Sequence, residues 1–375
     1  MSDPLKIVVI GLSLSSSWGN GHATTFRSLL RGVADAGHST LFLERDVPWY
    51  AAHRDMPAPD FCELAYYTGI DDLVARFGRA VVEADAVIIG SYVPEGVGVI
   101  DRVAELRPRL LCFYDIDTPV TLANVTGGKE EFLAARQFPL FDIYFSFSGG
   151  RVLDRLERDF AARNAVALHC SVDEAYYRCT GEPAKWDLGY LGTYSPDRQP
   201  TLERLLIEPA RRLPEKRFVV AGPQYPDDIE WPANVERIDH LPPPEHPSFY
   251  SRQRFTLNVT RADMIAAGWS PSVRLFEAAA CRTPIISDRW EGLGELLPEQ
   301  EAVVIADSSD DVTSALAMDE DRRRRIADTA SEIVLAAHTG RARAAEMIAA
   351  LRNLLNRRKF PERSPTRGNT RELAW

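Results

Sequence analysis

"LKIVVIGLSLSSSWGNGHATTFRSLLRGVADAGHSTLFLER", residues 5 to 45, decides the fold. It opens on a short apolar run, residues 5 to 11, that is continuous rather than alternating, the pattern of a strand covered on both faces. A polar loop follows, and residues 24 to 37 then carry a helical period that stops at Gly37, as helices commonly do. Residues 39 to 45 form a second continuous apolar run. Two doubly covered strands joined through a helix are a βαβ unit, which implies a parallel sheet with helices on its faces.

The alternation repeats along the chain. Strand-like runs at 85 to 91, 109 to 115, 142 to 148 and 165 to 171 extend the first set. The pattern lapses from 173 to 185 into mixed aromatic, charged and Gly-Pro sequence. It restarts with runs at 186 to 194, 217 to 223, 235 to 239, 255 to 261, 283 to 289 and 301 to 307, and the stretch from about 319 to 356 reads as helix throughout. The expectation is an α/β chain of two Rossmann-like, doubly wound domains facing a cleft, over residues 1–172 and 186–340.

At 375 residues, 45% hydrophobic and 26% charged, the chain is long enough for two full cores. A formal net charge of -10 argues against nucleic acid as a general partner. The one basic concentration, residues 357–375, has no apolar period and is expected to be a poorly ordered tail. The five cysteines show no C-x-x-C spacing, so neither a disulfide framework nor a zinc site is indicated. With no leader pattern and no apolar run near the roughly 20 residues of a membrane span, a cytoplasmic protein is expected.

Open parallel sheets bind ligands at the carboxyl ends of their strands, so the residues after strands are the candidates. After the first strand, Gly19 and Gly21 precede a helix and would let a polar ligand approach backbone amides. The spacing is neither the dinucleotide G-x-G-x-x-G nor a P-loop. His22, at the helix mouth, is a candidate general base or hydroxyl partner, the plain alternative being packing on Trp18. After the fourth run, Asp115 and Asp117 stand two apart and are expected to point the same way, as base or acceptor-hydroxyl ligands, the plain alternative being that one of the pair caps the next helix. Further oxygen ligands for a metal are not apparent nearby, and no metal is expected. In the second half Arg198 and Arg261 follow strands near a helix mouth at Ser270 to Val273, an arrangement suited to a diphosphate. Trp49, Tyr50, Asp55 and Tyr92 suggest a polyol surface in the first domain.

"SPSVRLFEAAACRTPIIS", residues 270 to 287, reads as a helix capped by Ser270, with Pro271 at its first position, running into a strand. It is apolar almost all round, yet carries Arg274 and Glu277. Buried charges need partners, and the plain reading is an i, i+3 ion pair between the two.

With these residues assembled, the second half resembles the nucleotide-binding half of a GT-B glycosyltransferase, and the chain is similar over nearly its full length to the spore maturation protein CgeB-like glycosyltransferases. The segments carrying this are "WGNGHATTFRSLLRGVADAGH", "FYDIDTPVTL", "YLGTYSPDRQPTLERLL", "HLPPPEHPSFYS", "FTLNVTRADM", "GWSPSVRLFEAAACRTPIISD" and "AAHTGRARAAEM". The resemblance implies a nucleotide diphosphate sugar as donor substrate, no cofactor, and an unidentified hydroxyl-bearing acceptor. It implies Glu277 for the ribose hydroxyls, the amides of Ser272 and Val273 with Arg198 or Arg261 for the diphosphate, and the loop at His240 and Leu241 for the base. Arg274 is then left to pair nearby charge. A last helix over 341–356 would cross back to the first domain. Many retaining members carry a second glutamate eight positions before the ribose one; here that position is Trp269. The competing readings are a nucleotide-sugar epimerase of the same shape and a non-catalytic sugar-nucleotide binder.

Overall fold

The computed structural model describes residues 3–18 and 21–359. Two parallel sheets organise it. The first has the order β3-β2-β1-β4-β5-β6-β7, from β1 (Lys6–Gly11), β2 (Ser39–Arg45), β3 (Glu63–Tyr67), β4 (Ala86–Gly90), β5 (Leu111–Asp115), β6 (Ile143–Ser146) and β7 (Ala165–Ala167). The second has the order β10-β9-β8-β11-β12-β13, from β8 (Trp186–Leu191), β9 (Phe218–Ala221), β10 (Val235–Ile238), β11 (Gln253–Asn258), β12 (Ile285–Ser287) and β13 (Val304–Ile305). Every strand pair is parallel. The central strands β4 and β5 are buried at every residue, as continuous apolar runs require. In both sheets the order reverses beside the first strand, and the loops at that switch point open on the space between the domains.

β3 is the strand the sequence does not announce. "ELAYY" lies at the sheet edge with one strand neighbour and only Tyr67 buried, so it shows neither a continuous apolar run nor clean alternation.

The chain crosses between domains twice, side by side. Val172 donates its amide to the His338 carbonyl at 3.0 Å and accepts from the Gly340 amide at 3.2 Å. This crossing splits the helical end at His338 and Thr339, giving helices Glu320–Ala337 and Gly340–Lys359. The last helix lies on the first: Ala344, Met347, Ile348, Leu351 and Leu355 repeat at 3 and 4 and share a core with Phe26, Leu29 and Leu30 of helix His22–Asp35. Backbones touch where they meet, since a Cβ on Gly340 would stand 2.1 Å from the Ser28 carbonyl and one on Gly32 2.5 Å from that of Gly340. The basic tail therefore begins later than expected. Residues 357 to 359 continue the helix, and Arg358 reaches the Asp142 carboxylate and the Arg109 carbonyl; residues 360–375 lie outside the described residues.

Candidate functional site

A cavity of about 850 Å³ lies between the two sheets' carboxyl edges. Its second-domain wall contains the helix Val273–Ala280. That helix starts two residues later than its sequence suggests. Ser272 is the N-cap and its hydroxyl accepts from the Arg274 amide, whereas Ser270 is turned away and bonds Ser148 Oγ at 2.7 Å and the Gly268 carbonyl at 2.8 Å. Ser272 and Val273 line the cavity; the Arg274 and Leu275 amides are taken by Ser272, through its hydroxyl and its carbonyl, which leaves the Ser272 and Val273 N–H groups for an anion.

Arg274 and Glu277 are not each other's partner. The Arg274 guanidinium, on a side chain that is nearly buried, donates from Nε to the Leu191 carbonyl at 2.6 Å and from Nη1 to Asn258 Oδ1 at 3.0 Å, and lies over the Tyr190 ring. Its Nη2 faces Gly192, where a Cβ would come within 3.0 Å. Gly222 holds φ +142 with its Cα against the Gly192 carbonyl, so the floor here is backbone. Glu277 Oε2 accepts from Tyr250 Oη at 3.1 Å, and both residues line the cavity. The expectation that Arg274 pairs nearby charge is corrected: among the described residues no carboxylate lies within ion-pair distance of it.

Arg198 is held by a bond from Nη2 to the Thr193 carbonyl at 2.6 Å, and its Nε is buried without a partner. Burial lowers its pKa, and the positive charges of Arg274 and Arg261 lower it further; of the three, Arg274 alone is among the residues that line the cavity. None of the three has a carboxylate within 4.0 Å among the described residues. Arg261 is the N-cap of helix Ala262–Ala267 and is exposed. His240 and Leu241 both line the cavity, and Leu241 is steadied through its carbonyl by His246, 3.3 Å away, whose other ring nitrogen lies 3.2 Å from Tyr177 Oη.

On the first-domain wall Gly21 lines the cavity, while Gly19 lies outside the described residues. His22 opens helix His22–Asp35. Its Nδ1 is buried without a partner and burial pulls its pKa down to about 4, so the ring is neutral at pH 7. Its neighbour is Tyr92, edge-on at 5.2 Å, and not Trp18, which stacks on His53 at 4.4 Å.

Asp115 and Asp117 do not share a face. Asp115 ends β5 and is fully buried; its oxygens accept from Tyr144 Oη at 2.6 Å, Thr121 Oγ1 at 2.8 Å and the Asp117 amide at 3.2 Å. Desolvation raises its pKa to about 6. It is a structural carboxylate, which corrects its candidacy as a catalytic group. Strand alternation does not apply across the pair, because Asp117 is already the N-cap residue of helix Thr118–Thr126. Asp117 turns to Tyr92, whose hydroxyl donates to Oδ2 at 3.1 Å, and its pKa is raised by burial despite Tyr92 and Arg261. Of the expected polyol surface, Trp49 is exposed, whereas Asp55 is held by Arg27 at 2.6 Å and by Ser17.

Sequence reasoning missed Arg274 and Tyr250 as cavity residues, Asn258 as the partner that holds Arg274, and the Tyr92–Asp117 bond. The signal for Arg274 was present, as the second charge on a buried helix; only the distant partners Leu191 and Asn258 were out of reach.

Residues 198–349 match a family model described as glycosyl transferase-like. No curated protein matches the chain in sequence. Among solved structures, the chain is similar to a sucrose-phosphate synthase from Thermosynechococcus elongatus, with a TM-score of 0.66, 13% identity, and coverage of 94% of this chain and 99% of that one. It is similar to HepE of Anabaena in complex with UDP and glucose, at TM-score 0.65, 12% identity, and 93% and 100% coverage. An alpha-glucosyltransferase in complex with UDP-glucose and DNA containing an abasic site gives TM-score 0.67, 13% identity, and 93% and 100% coverage. The fold is therefore that of the GT-B glycosyltransferases, two Rossmann-like domains with the C-terminal helix returned to the first.

Proposed function

We propose that this protein is a GT-B glycosyltransferase, of hexosyltransferase type, that moves a sugar from a nucleotide diphosphate sugar, a uridine diphosphate sugar in the first instance, to a hydroxyl-bearing acceptor. The observation that carries the reading is Arg274, which has no ion pair among the described residues and lines the cavity together with Ser272 and Val273 at the helix mouth and Glu277 one turn further on; Arg198 and Arg261 stand outside that lining, with Arg198 feeling the charge of both other arginines. A diphosphate supplies the negative charge that these cations lack, and the free amides at Ser272 and Val273 add to it. Glu277 accepts from the ribose hydroxyls and the loop at His240 and Leu241 meets the base. As the glycosidic bond breaks, negative charge grows on the leaving diphosphate, and fixed guanidiniums stabilise it without a metal.

The support from outside the chain is the glycosyl transferase-like family model across the second domain and the UDP and UDP-glucose bound by the similar structures. Membership of the CgeB-like group belongs to this proposal, as does a cytoplasmic location. Among the described residues no helix is long and apolar enough to cross a membrane.

A thermal-shift panel of uridine, guanosine and thymidine diphosphates and their sugars tests the donor site. A ligand at about 100 times its Kd adds about 2.7 kcal/mol to the folded state, which lifts the midpoint of a chain this size by several degrees. No response to any member of the panel refutes the reading. Turnover of donor without acceptor, giving a new sugar nucleotide and no free nucleotide, would point instead to an epimerase.

A further inference from the structure

Tyr92 lies two residues beyond β4, at the carboxyl edge of the first sheet, and its backbone is in the left-handed region with φ 61. Non-glycine residues seldom take that conformation, and they keep it only where the surroundings over-determine it. Here they do. The ring packs on Phe132 at 4.5 Å and on the edge of His22 at 5.2 Å, and Phe132 is itself locked by its carbonyl against Gly96, where a Cβ would stand 2.4 Å away. The one polar atom of this fixed ring, Oη, donates to Asp117 Oδ2 at 3.1 Å. No described residue donates to the other oxygen, Oδ1.

We infer that Tyr92 is the positioning residue for Asp117, fixing this carboxylate as the base that takes the acceptor's proton in a single displacement at the donor sugar. The inference rests on the glycosyl-transfer reading above. In the step, the acceptor hydroxyl gives its proton to Asp117, its oxygen bonds to the anomeric carbon, and the bond from that carbon to the diphosphate oxygen breaks. The electron pair leaves with the diphosphate, toward Arg198, Arg261 and Arg274.

The neighbours decide which group is the base. Asp115 is enclosed and committed to Tyr144, Thr121 and a backbone amide. His22 has no carboxylate to orient its ring, since Asp117 is bonded to Tyr92 instead, and burial leaves it a weak base. Asp117 has an orienting donor on one oxygen and a raised proton affinity, which brings it nearer the working pH of a general base. The charged and titratable groups facing it are Tyr92 from the loop after β4, Asp115 from β5, and Arg261 and Asp263 from the second domain, with His22 behind the Tyr92 ring.

Tyr92→Phe keeps the ring, its packing and its backbone, and removes only the donor. Two readouts are taken on the full chain: hydrolysis of UDP-glucose, in which water is the acceptor, as a function of pH, and the carbon-13 titration of the Asp117 carboxyl, assigned with Asp117→Asn. A hydrogen bond to the charged form lowers a carboxyl pKa, so its loss raises it. The expected result is unchanged UDP affinity, a turnover number about tenfold lower, a loss of rate with falling pH that sets in at a higher pH than in the wild type, and an Asp117 titration moved upward. An unchanged titration, or an unchanged pH profile in Tyr92→Phe, overturns the inference, as does full activity in Asp117→Asn. If the wild type neither binds UDP nor turns over UDP-glucose, the catalytic part of the inference falls with the glycosyl-transfer reading. The titration then still decides the Tyr92–Asp117 coupling: a shift supports it and no shift overturns it.

Discussion

Glu277→Gln separates a ligand role from a structural one at the residue on which the donor site turns. The side chain is 8% exposed; it accepts from the Tyr250 hydroxyl at 3.1 Å and is also hydrogen-bonded to Tyr177. Glutamine keeps the volume and an oxygen for Tyr250, and removes the charge. A ribose hydroxyl donating to a carboxylate contributes about 1.5–3 kcal/mol, and to a neutral carbonyl about 0.5–1.5 kcal/mol. The difference, about 1–1.5 kcal/mol, is close to tenfold in Kd for UDP. For the fold the balance is different. Glu277 and Arg274 do not pair, so the substitution strands no counter-charge, and removing a buried charge held by neutral hydroxyls costs little or stabilises. Calorimetric titration with UDP should therefore show about tenfold weaker binding, while the melting midpoint without ligand stays within about 2 °C of the wild type or rises. Unchanged UDP affinity with a midpoint several degrees lower would refute this reasoning and return Glu277 to a purely structural role.

Three further outcomes follow from the same geometry. Arg274→Met keeps an unbranched side chain but removes the cation that lies over Tyr190, and it should weaken UDP binding by about 2–3 kcal/mol, near a hundredfold, measured by the same titration. Asp115→Asn tests the enclosed carboxyl: its folded pKa, about 6, lies above the 3.8 of the free group, so the folded protein takes up its proton first and wild type gains stability relative to the variant as pH falls through 6 toward 4, by on the order of 3 kcal/mol in chemical denaturation. A flat difference between pH 7 and pH 4 would contradict that burial. Gly150→Ala, at φ 54 with the Trp269 ring 2.2 Å from the new Cβ, should lower the midpoint by clearly more than Gly37→Ala, at φ 81 with open space around it, where only about 1 kcal/mol of backbone cost applies.

How much was legible in the sequence depends on how local the determinant is. Continuous apolar runs reported the buried strands because a strand covered on both faces needs nothing but apolar residues, and Gly37 reported a helix end by its own backbone freedom. Edge strand β3 gave no such signal, since one open side removes the requirement. The start of helix Val273–Ala280 was misplaced because Ser270 and Ser272 are equally good caps in isolation, and the choice is made by Ser148, more than a hundred residues away. Positions after strands could be named from the sequence, but not their partners: Asp115 ends a strand and is enclosed by Tyr144, Thr121 and a backbone amide, whereas Asp117 opens the next helix and meets Tyr92.

Trp269 shows how far such partners can redirect a position. The resemblance places a donor-sugar contact there in retaining relatives, but in this fold the residue joins the domains. Its backbone is left-handed at φ 41, its carbonyl accepts from the Gly149 amide across the cleft at 2.9 Å, and its amide donates to the Glu291 carbonyl at 2.7 Å. The ring is pressed against Gly150 and Gly292, each too close to admit a Cβ, and its Nε1 donates to Glu295 at 2.9 Å. Every polar group of the residue is thus committed to protein, and none remains for a sugar hydroxyl. Across the cleft His22, with Nδ1 unpartnered among the described residues, lies against the Tyr92 ring, whose hydroxyl is given to Asp117. The same joint ties the first domain at Gly149 and Gly150 to the second at Glu291, Gly292 and Glu295, so a tryptophan at this position fixes how the two walls of the cleft meet.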